Sequence, residues 1–353
     1  MKIAILNDTH CGVRNSSDIL INYQERFYSE VFFPYLKENG ISNILHLGDY
    51  YDHRKYINFK ALNSNRNSFL EVLRKEGIHM DIIPGNHDVF FKNTNELNSL
   101  KELLGHYMNE VDIHMEPKVL DYDGCGIAVI PWINNDNYHS TMKFIENCSA
   151  SIVGGHFELA GFDMHKGFPN PHGMSSDHFK RFEMVMSGHF HTKSQQDNIH
   201  YLGSQMEFTW TDVNDPKYFH IFDTETRELT PVLNPITIFS RIYYDDTDRS
   251  YSDFDVDKLA NNFVKVIVKK KKDPFTFDRF IDRLQAIDTY EVKIAETFEE
   301  FAGEAIEDSE VDVEDTQDML NTYVDAVDTE LSKDKIKDIV HGLYVEAQNM
   351  ELM

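Results

Sequence analysis

Short apolar runs recur along the first part of the chain, and each is followed within three residues by aspartate, asparagine or histidine. The five runs occupy positions 3–6, 44–47, 82–83, 152–153 and 184–186. Runs of this length, separated by longer stretches with helical period, predict the strands of an α/β domain. Residues that follow such strands lie at the edge of the sheet, where side chains from several strands can meet in one site.

Helical period covers residues 19–37, 60–75 and 95–108, and the pattern after position 124 is rich in strands. These helices are expected to pack on the sheet through their apolar faces. Residues 218–223 and 228–233 each read as a strand, and the short polar stretch between them predicts a hairpin.

Four segments follow from these patterns. Residues 1–235 form the first α/β domain, and residues 236–295, with three strand patterns and one helical pattern, predict a smaller α+β domain. Residues 296–315 are acidic and poor in large apolar side chains, which indicates a linker. Residues 316–353 recover helical period, with one apolar face composed of Ile336, Ile339, Val340, Leu343 and Tyr344.

The helical tail has two interpretations. An acidic tether that carries short amphipathic helices is suited to docking on a partner protein, so the apolar face is our candidate partner-binding surface. The alternative is that the helices fold back on the core of this chain.

Composition narrows the class of protein. The 353 residues are 41% hydrophobic and 12% aromatic, enough for more than one core, and no apolar run approaches the roughly 18 residues that span a bilayer. The three cysteines fit no zinc or disulfide spacing, so a reducing cytoplasm is the expected location. The net charge of −26 argues against tight DNA binding unless the local charge is positive.

Seven side chains that follow the apolar runs are of types that bind metal ions: Asp8, His10, Asp49, Asn86, His156, His189 and His191. Four of the runs end in glycine, which allows the sharp turn that aims the next side chain into a shared site. A set of oxygen and nitrogen ligands without thiolate suits Mn²⁺, Fe or Zn better than Ca²⁺ or Cu(I). Since a carboxylate such as Asp49 can bridge two cations, we expect a two-metal hydrolase site that acts on a phosphate ester.

The strings that contain these residues, together with their order, resemble the five motifs of calcineurin-like metallophosphoesterases. They are Asp8-x-His10, Gly48-Asp49-x-x-Asp52, Gly85-Asn86-His87-Asp88, Gly155-His156 and Gly188-His189-x-His191. Within that superfamily the layout is similar to the SbcD-type nuclease subunits of double-strand-break repair complexes, above all to their bacteriophage members. The resemblance implies a four-layer sandwich of two mixed β-sheets flanked by helices, followed by a capping domain and C-terminal helices.

The resemblance also implies roles for the residues of the motifs. One metal ion would be bound by Asp8, His10, Asp49 and His191, and the other by Asp49, Asn86, His156 and His189. His87 matches the catalytic histidine, which is not a ligand and would protonate the leaving oxygen. Asp52 matches the carboxylate that orients this histidine in phosphatases. Some relatives have histidine at that position, so a contribution from His53 stays open.

Two basic stretches are candidates for contacts with DNA phosphates. Arg54 and Lys55 follow Asp52 closely, and Lys269, Lys270, Lys271 and Lys272 follow a strand pattern of the smaller domain. In both cases ordinary solvent-exposed basic residues are the alternative. Family members dimerise through helices of the nuclease domain, although packing on the sheet explains the apolar residues of those helices equally well.

The sequence therefore predicts a Mn²⁺-dependent DNA nuclease, with Mg²⁺, Fe or Zn as other possible metals. It would act as an exonuclease on duplex ends and as an endonuclease on single strands, in recombination and repair, together with a coiled-coil ABC-type ATPase. The expected location is the cytoplasm, that of the host if the gene belongs to a phage. The alternatives are a phosphatase or small-substrate phosphodiesterase, and a non-catalytic scaffold of the ATPase complex.

Overall fold

The computed structural model describes residues 1–165, 168–171, 173–296, 332–333, 335–337 and 339. The chain divides into two compact units, Met1–Thr297 and Phe298–Met353. The first unit contains all of the predicted metal ligands. Its strands are β1 (Lys2–Leu6), β2 (Asn43–His46), β3 (His79–Ile82), β4 (Val111–Ile113), β5 (Lys118–Tyr122), β6 (Cys125–Ile130), β7 (Ile152–His156), β8 (Asp163–His165), β9 (Phe168–Pro169), β10 (Met184–Gly188), β11 (Ser194–Gln196), β12 (Ile199–Tyr201), β13 (Tyr218–Asp223), β14 (Leu229–Leu233), β15 (Phe239–Asp245), β16 (Phe263–Lys270) and β17 (Glu291–Ala295).

Eight α-helices lie between the described strands of the first unit. They are α1 (Val13–Ser16), α2 (Asp18–Arg26), α3 (Phe33–Asn39), α4 (Phe59–Asn65), α5 (Glu71–Glu76), α6 (Ser99–Leu103), α7 (Tyr138–Asn147) and α8 (Pro274–Gln285). Two π-helical segments, Phe27–Phe32 and Arg66–Leu70, join α2 to α3 and α4 to α5. None of the described helices is long and apolar enough to span a membrane.

Two six-stranded mixed sheets form the larger part of the first unit. The first has the order β14-β13-β1-β2-β3-β4, with β1 to β4 parallel and β13 and β14 antiparallel. The second has the order β11-β12-β10-β7-β6-β5, with a parallel centre and antiparallel edges. Because the central strands of both sheets are parallel, their carboxyl ends collect at one edge of each sheet.

Three hydrophobic cores separate the layers. The faces of the two sheets that meet contribute side chains such as Ile5, Leu45, Val129 and Met186 to a shared core. The outer face of the first sheet packs against α2 to α5, and the outer face of the second packs against a core that contains Ile145 of α7. The order helix, sheet, sheet, helix confirms the predicted α/β sandwich of mixed sheets.

The sequence patterns located most elements. The predicted helices at 19–37 and 60–75 and the hairpin at 218–233 are present with small shifts at their ends. The helix predicted at 95–108 was too long, because only α6 and the 3₁₀ turn Gly105–Tyr107 are helical there. Residues 95–98 instead form a loop held by asparagine side chains, including Asn95, whose Nδ2 donates to the carbonyl oxygen of Trp132.

The smaller domain predicted at residues 236–295 has its own sheet and core. Strands β15, β16 and β17 are parallel, and α8 covers them with Phe277, Phe280, Ile281 and Leu284. Ile238 and Phe239, at its start, belong to the core beneath the first sheet. The first residues of the smaller domain are therefore part of the core beneath the first sheet.

Little of the second unit is described. Positions 333, 335–337 and 339 are helical, and the side chain of Ile339 is 63% exposed. Val340, Leu343 and Tyr344 of the predicted partner-binding face lie outside the described residues. The linker and tail boundaries, like the other domain boundaries, remain predictions.

Candidate metal centre

All seven predicted ligands lie within the sandwich at the carboxyl ends of its parallel strands. Asp8 and His10 follow β1, Asp49 follows β2, and Asn86 follows β3. His156 is the last residue of β7, and His189 and His191 follow β10. Three groups of possible ligand atoms result at this site: Asp8 with His10 and His191, Asp49 with His156 and His189, and His10 with Asp49 and His87. The predicted convergence of five strand ends is thus present.

The backbone around the ligands is strained. Asp8, His10, Asp49 and His189 have φ angles of 47°, 44°, 54° and 91°, a region that costs a residue with a Cβ of the order of 1 kcal/mol or more. Strain of this kind persists where the surrounding structure enforces it, and it is concentrated at functional sites.

Glycines allow the loops to approach one another closely. A Cβ atom on Gly85 would lie 2.2 Å from Oδ1 of Asp49 and 2.5 Å from its backbone nitrogen. Gly48 has a φ of 92°, and a Cβ there would lie 2.8 Å from Nδ1 of His156. The loop that carries Asn86 and the loop that carries Asp49 can therefore touch only because both positions are glycine.

The first group places two imidazole rings, with an interplanar angle of 68°, beside a carboxylate. Nε2 of His10 lies 3.0 Å from Nε2 of His191, and each lies 3.8 Å from Oδ1 of Asp8. Asp8 is fixed from outside, since Asn7 donates to its Oδ2 at 2.6 Å and the backbone nitrogen of His189 donates at 3.0 Å. The lone pairs of Asp8 that these hydrogen bonds do not use remain available for a cation between the rings of His10 and His191.

The second group is built around the side-chain oxygen of Asn86. This oxygen lies 3.0 Å from Nε2 of His156 and 3.0 Å from Nδ1 of His189. Nδ1 of His156 lies 2.8 Å from the carbonyl oxygen of Leu47, which can only accept, so the ring proton of neutral His156 is on Nδ1. Nε2 then presents a lone pair to the oxygens of Asn86 and Asp49.

Asp49 lies between the two groups. Its Oδ2 is 3.2 Å from Nε2 of His156 and 3.8 Å from Nε2 of His10. Its Oδ1 accepts a hydrogen bond of 2.8 Å from the backbone nitrogen of His87. One carboxylate oxygen thus faces ligands from both groups, which is the position a bridging ligand requires.

The donor set fits divalent cations. Three acceptor atoms converge in the second group, and none of them carries a hydrogen that it could donate. They are Oδ1 of Asn86, Oδ2 of Asp49 and Nε2 of neutral His156. Nε2 of His10 and Nε2 of His191 face each other in the same way, and at most one of them can carry a proton. Buried lone pairs that converge repel one another unless a proton or a cation lies between them. Oxygen and imidazole ligands without thiolate suit first-row divalent metals.

The charge state of the site shows the same need for positive charge. Burial disfavours the charged form of His10, but the hydrogen bond to Asp52 and the charges of Asp49 and Asp8 outweigh it and raise its pKa to about 10. Burial opposes protonation of His156 as well, yet Asp49 raises its pKa to about 9. Burial and the charge of His156 lower the pKa of His189 to about 3. The nearby carboxylates therefore favour the protonated forms of His10 and His156, and these protons supply positive charge where metal cations would bind.

His87 and Asp52 are in contact, through an unexpected atom. Nδ1 of His87 lies 2.6 Å from the main-chain carbonyl oxygen of Asp52, not from its carboxylate. The carboxylate instead lies 3.2 Å from Nδ1 of His10 and 3.4 Å from Nε2 of His53. Asp52 thus sets the orientation of a predicted ligand with its side chain and that of the predicted acid with its backbone. The ring of His87 lies 4.8 Å from that of His10, beside the metal groups.

With this geometry established, the comparison with protein families decides the class. Residues 1–202 match the family model described as calcineurin-like phosphoesterase. The chain belongs to the calcineurin-like phosphoesterase family. It is also 33% identical over 350 residues to Exonuclease subunit 1 of Enterobacteria phage T4, an alignment that covers 98% of this chain and 99% of the phage protein.

Solved structures are more distant. An archaeal phosphodiesterase is 16% identical and has a TM-score of 0.34, with 66% of this chain and 100% of that chain covered. The glutamine-dependent NAD⁺ synthetase of Acinetobacter baumannii is 10% identical and has a TM-score of 0.21, with 99% and 72% covered. At TM-scores of this size neither likeness supports an argument about the phosphoesterase.

Several residues that support the site of the phosphoesterase were missed by the sequence interpretation. Asp88, fully buried, accepts hydrogen bonds from the backbone nitrogens of Gly85, Tyr50 and Tyr51 and so ties two ligand loops together. Its place inside the Gly85-Asn86-His87-Asp88 string was the only signal.

Two further supports come from distant parts of the sequence. Lys217, buried and paired with Asp212 and Asp215, donates to the carbonyl oxygen of His191 at 3.0 Å. The ring of Trp132 lies 5.5 Å from that of His189 and 5.9 Å from that of His156. Nothing in the local pattern around positions 132 or 217 indicates these contacts.

The predicted DNA-binding residues lie in two places. Arg54 is half-buried and Lys55 exposed, directly after Asp52. The four lysines at 269–272 are exposed at the end of β16, where Nζ of Lys269 lies 4.5 Å from the centre of the Tyr243 ring and Lys271 forms an ion pair with Glu296. Only the first pair is adjacent to a residue of the site.

Proposed function

We propose that this phosphoesterase is a two-metal DNA nuclease that cleaves phosphodiester bonds at duplex ends and in single strands. The observation that carries the proposal is the position of Asp49, with one oxygen shared by two complete ligand groups and the other held by the loop of His87. Full-length similarity to a protein named as an exonuclease subunit supports DNA as the substrate.

Each group of ligands has a place in the proposed reaction. Asp8, His10, Asp49 and His191 would hold one cation, and Asp49, Asn86, His156 and His189 the other. When bound, such ions supply Lewis-acid activation of a water molecule and positive charge for the phosphoryl oxygens. Mn²⁺ is the proposed native metal because the ligand set combines carboxylate, amide and imidazole.

His87 would act on the leaving group. The carbonyl oxygen of Asp52 fixes its ring proton on Nδ1. His87 can therefore donate a proton from Nε2 only as the imidazolium, and it returns to the neutral ring once the leaving oxygen has taken that proton. Asp52 orients His10 through its carboxylate, in the arrangement in which a carboxylate fixes the tautomer of a histidine that binds metal.

The remaining parts of the chain support a role in a larger assembly. A similar protein over the full length is called a subunit, and a small-substrate phosphatase would need neither the smaller domain nor the acidic tail. We propose that the apolar face of residues 336–344 docks on the coiled coil of an ABC-type ATPase, that the nuclease domain forms a homodimer, and that the complex acts in the host cytoplasm.

One assay separates the proposed activities. The purified protein, with and without an ATPase partner, would be incubated with end-labelled duplex, hairpin and single-stranded DNA and with bis(p-nitrophenyl) phosphate, across Mn²⁺ and Mg²⁺ concentrations. Metal-dependent cleavage of DNA is the expected result. Hydrolysis of the chromogenic diester without DNA cleavage would identify a small-substrate phosphodiesterase, and failure to bind metal or cleave any substrate would leave a scaffold.

A further inference from the structure

A second cluster of side chains that bind metal ions lies at the opposite end of β3 from Asn86. His79 and Asp81 belong to β3, and Asp112 belongs to β4, where it pairs in register with Asp81. One possible ligand atom from each of these residues, a ring nitrogen and two carboxylate oxygens, lies within 4.8 Å of the others. The proposed reaction uses none of them, because its ligands follow or end the strands at their carboxyl ends.

The alternation of side chains along β3 places this cluster on one face of the first sheet. Met80 and Ile82 belong to the core beneath the helices, so His79 and Asp81 point to the opposite face, towards the second sheet. From that second sheet the hydroxyl of Tyr122, on β5, donates to Oδ2 of Asp81 at 2.7 Å. Since β4 and β5 are the outermost strands of their sheets, the cluster lies where two edges of the sandwich face each other.

Asp81 is already held in a fixed orientation. The residue is buried, its Oδ1 lies 2.6 Å from Nε2 of His114, and its Oδ2 accepts the hydrogen bond from Tyr122. A carboxylate has about four lone pairs, so these two contacts leave others free to bind an ion. Carboxylates that bind metal ions are themselves hydrogen-bonded in this way, and their partners fix the direction of the ligand atom. His114 and Tyr122 are therefore suited to position Asp81 as a ligand.

The distances within the cluster fit a shared cation better than a direct hydrogen bond. Nε2 of His79 lies 3.8 Å from Oδ2 of Asp81 and 3.6 Å from Oδ2 of Asp112. Hydrogen bonds from a nitrogen to an oxygen span about 2.7–3.2 Å, so neither carboxylate accepts a proton from His79 at these separations. Around a first-row ion with bonds of about 2.0–2.2 Å, neighbouring ligand atoms lie about 3.0–3.6 Å apart. Small rotations of His79 and Asp112 would therefore bring all three atoms onto one ion.

The cluster is open to solvent on one side. The side chain of His79 is 38% exposed and that of Asp112 is 58% exposed, whereas Asp81 is buried. An ion can therefore enter from outside, and water molecules can complete its coordination. Suitable ligands, suitable spacing, a hydrogen-bonded carboxylate and an entry path are together the features that a metal site requires.

We propose that His79, Asp81 and Asp112 bind a third divalent cation, separate from the two of the proposed reaction. Two carboxylates and one imidazole, without thiolate, suit Zn²⁺ or Mn²⁺. The ion would connect the edge strand β4 to β3 and, through Tyr122, to β5 of the other sheet. Because an edge strand is hydrogen-bonded to its sheet on one side only, a bound ion would stabilise β4 against local opening. Its role is therefore structural rather than catalytic.

An ion pair without metal is the competing account. A protonated His79 would then neutralise part of the charge of Asp81 and Asp112, and exposed pairs of this kind contribute little to stability. The two accounts differ in metal content. With three protein ligands, against four for each ion of the proposed reaction, the third site should release its ion more readily. A desalted sample would then retain only the catalytic ions, whereas a sample dialysed to equilibrium would also contain the third.

The test counts metal ions in the full-length protein. The wild type, Asp112→Asn and His79→Gln would each be dialysed against Zn²⁺ or Mn²⁺ in physiological salt, which screens loose association with the acidic surface. Metal per chain would be measured by mass spectrometry. Each variant should contain one ion fewer than the wild type after dialysis, while the metal content of desalted samples and the rate of DNA cleavage stay unchanged.

Matched variants control for the lost charge and the lost imidazole. Asp278→Asn removes an exposed carboxylate from α8, and His106→Gln removes an exposed imidazole from the 3₁₀ turn Gly105–Tyr107. Both should contain as many ions as the wild type. Saturating Zn²⁺ should raise the melting temperature of the wild type further than that of Asp112→Asn, because an ion that binds only the folded state stabilises it by mass action. In crystals soaked with Zn²⁺, an anomalous difference peak between His79 and Asp112 would locate the ion.

Each outcome decides the proposal. Equal metal content in the dialysed wild type and both variants would overturn the third site and leave an ion pair. Loss of the ions of desalted samples and of cleavage in Asp112→Asn would also overturn it, because the cluster would then support the catalytic centre. A wild type that binds the third ion but cleaves no DNA would reject the nuclease function and leave the third site in place.

Discussion

The backbone carbonyl oxygen of Asp52 lies 2.6 Å from Nδ1 of His87, while the carboxylate of the same residue faces His10. One residue therefore orients a predicted metal ligand and the predicted general acid at the same time. The two histidines are placed by different atoms of Asp52, so a side-chain substitution at position 52 alters the surroundings of His10 directly and leaves the carbonyl contact of His87 in place.

Replacing His87 by alanine should abolish DNA cleavage while two metal ions remain bound. His87 contributes a proton in the proposed reaction and is not among the proposed ligands, so the rate should fall by on the order of 10²–10⁴-fold. Metal content by mass spectrometry and single-turnover cleavage would be measured together. His106→Ala, at an exposed position of the 3₁₀ turn Gly105–Tyr107, is the control and should leave both quantities unchanged. Loss of metal in parallel with activity would reassign His87 to the coordination sphere.

Asp49→Asn should have a different effect. Burial opposes ionisation of Asp49, but the charges of His156, His87 and His10 hold its pKa well below the usual range, so it is a carboxylate that faces both ligand groups. Loss of that charge weakens both sites and screens the two cations less from each other. The expected result is less than two metal ions per chain and no cleavage even in excess Mn²⁺.

Asp278→Asn, which removes an exposed carboxylate from α8, provides the comparison for Asp49. Both variants lose one negative charge, so a shared defect would indicate a general electrostatic effect. Full metal occupancy with retained turnover in Asp49→Asn would place the bridging ligand elsewhere.

Metal binding should release protons at neutral pH. The carboxylates raise the pKa of His10 to about 10 and that of His156 to about 9 against the effect of burial, so both rings are protonated in the metal-free protein at pH 7.5. Coordination requires the neutral ring, and affinity should therefore rise by up to about ten-fold per pH unit for each displaced proton. Calorimetric titration with Mn²⁺ in two buffers of different ionisation enthalpy measures this release. Binding enthalpies that are the same in both buffers would contradict it.

Deletion of residues 316–353 should separate catalysis from assembly. The candidate ligands and the four hydrophobic cores that the structure describes lie within Met1–Thr297, so the truncated protein should stay folded and bind its metals. Because the proposed docking face is removed, binding to the ATPase and ATP-stimulated cleavage should be lost. Size-exclusion chromatography with the ATPase and metal analysis would be performed on the same sample. An unfolded truncation would assign the helices to the protein's own core, and unchanged ATPase binding would place the docking surface elsewhere.

The sequence predicted the convergence of the candidate ligands because their signal is local. Each candidate ligand lies within five residues of the end of an apolar run, and parallel strands bring such positions to one edge whatever the details of packing. The smaller domain was predicted for a similar reason, since β15, β16, α8 and β17 each show the period of a single element. The position of strand ends and the hydrophobic period of each element are therefore sufficient to predict features of this kind.

The supports of the site could not be predicted in this way. Lys217 reaches His191, and Trp132 packs beside His189, across the tertiary structure and with no repeated spacing. The contact of His87 with the carbonyl oxygen of Asp52 and the left-handed backbone of His10 are likewise features that no local propensity favours. Helix α7 was missed because the pattern after position 124 is dominated by strands.

The last prediction concerns Glu207, which lies at the joint, the place where the larger α/β domain meets the start of β15 in the smaller domain. It is 3% exposed, and its Oε2 accepts hydrogen bonds from the backbone nitrogens of Ile238 at 2.7 Å and Phe239 at 3.0 Å, where β15 begins. Burial raises the pKa of Glu207 to about 7 from 4.5, although the two backbone hydrogen bonds oppose the shift. The folded state thus holds a proton here that the unfolded state gives up at lower pH. Its contribution to stability is complete below pH 4.5 and is lost as the pH rises through about 7.

Glu207→Gln should therefore change the pH dependence of unfolding in a defined direction. The amide oxygen can still accept from the two backbone nitrogens but carries no charge, so the decline in melting temperature between pH 4.5 and 7 should flatten, and the variant should match or exceed the wild type at pH 8. Glu207→Ala leaves both nitrogens without their partner and should lower the melting temperature at every pH, by an amount that corresponds to roughly 1–3 kcal/mol for each unsatisfied group. The fluorescence of Trp210, whose ring lies 5.1 Å from that of Phe239, reports on this joint. Equal pH profiles for the wild type and Glu207→Gln would show that Glu207 is ionised in the folded protein across this range, and the joint would then be held by a buried charge.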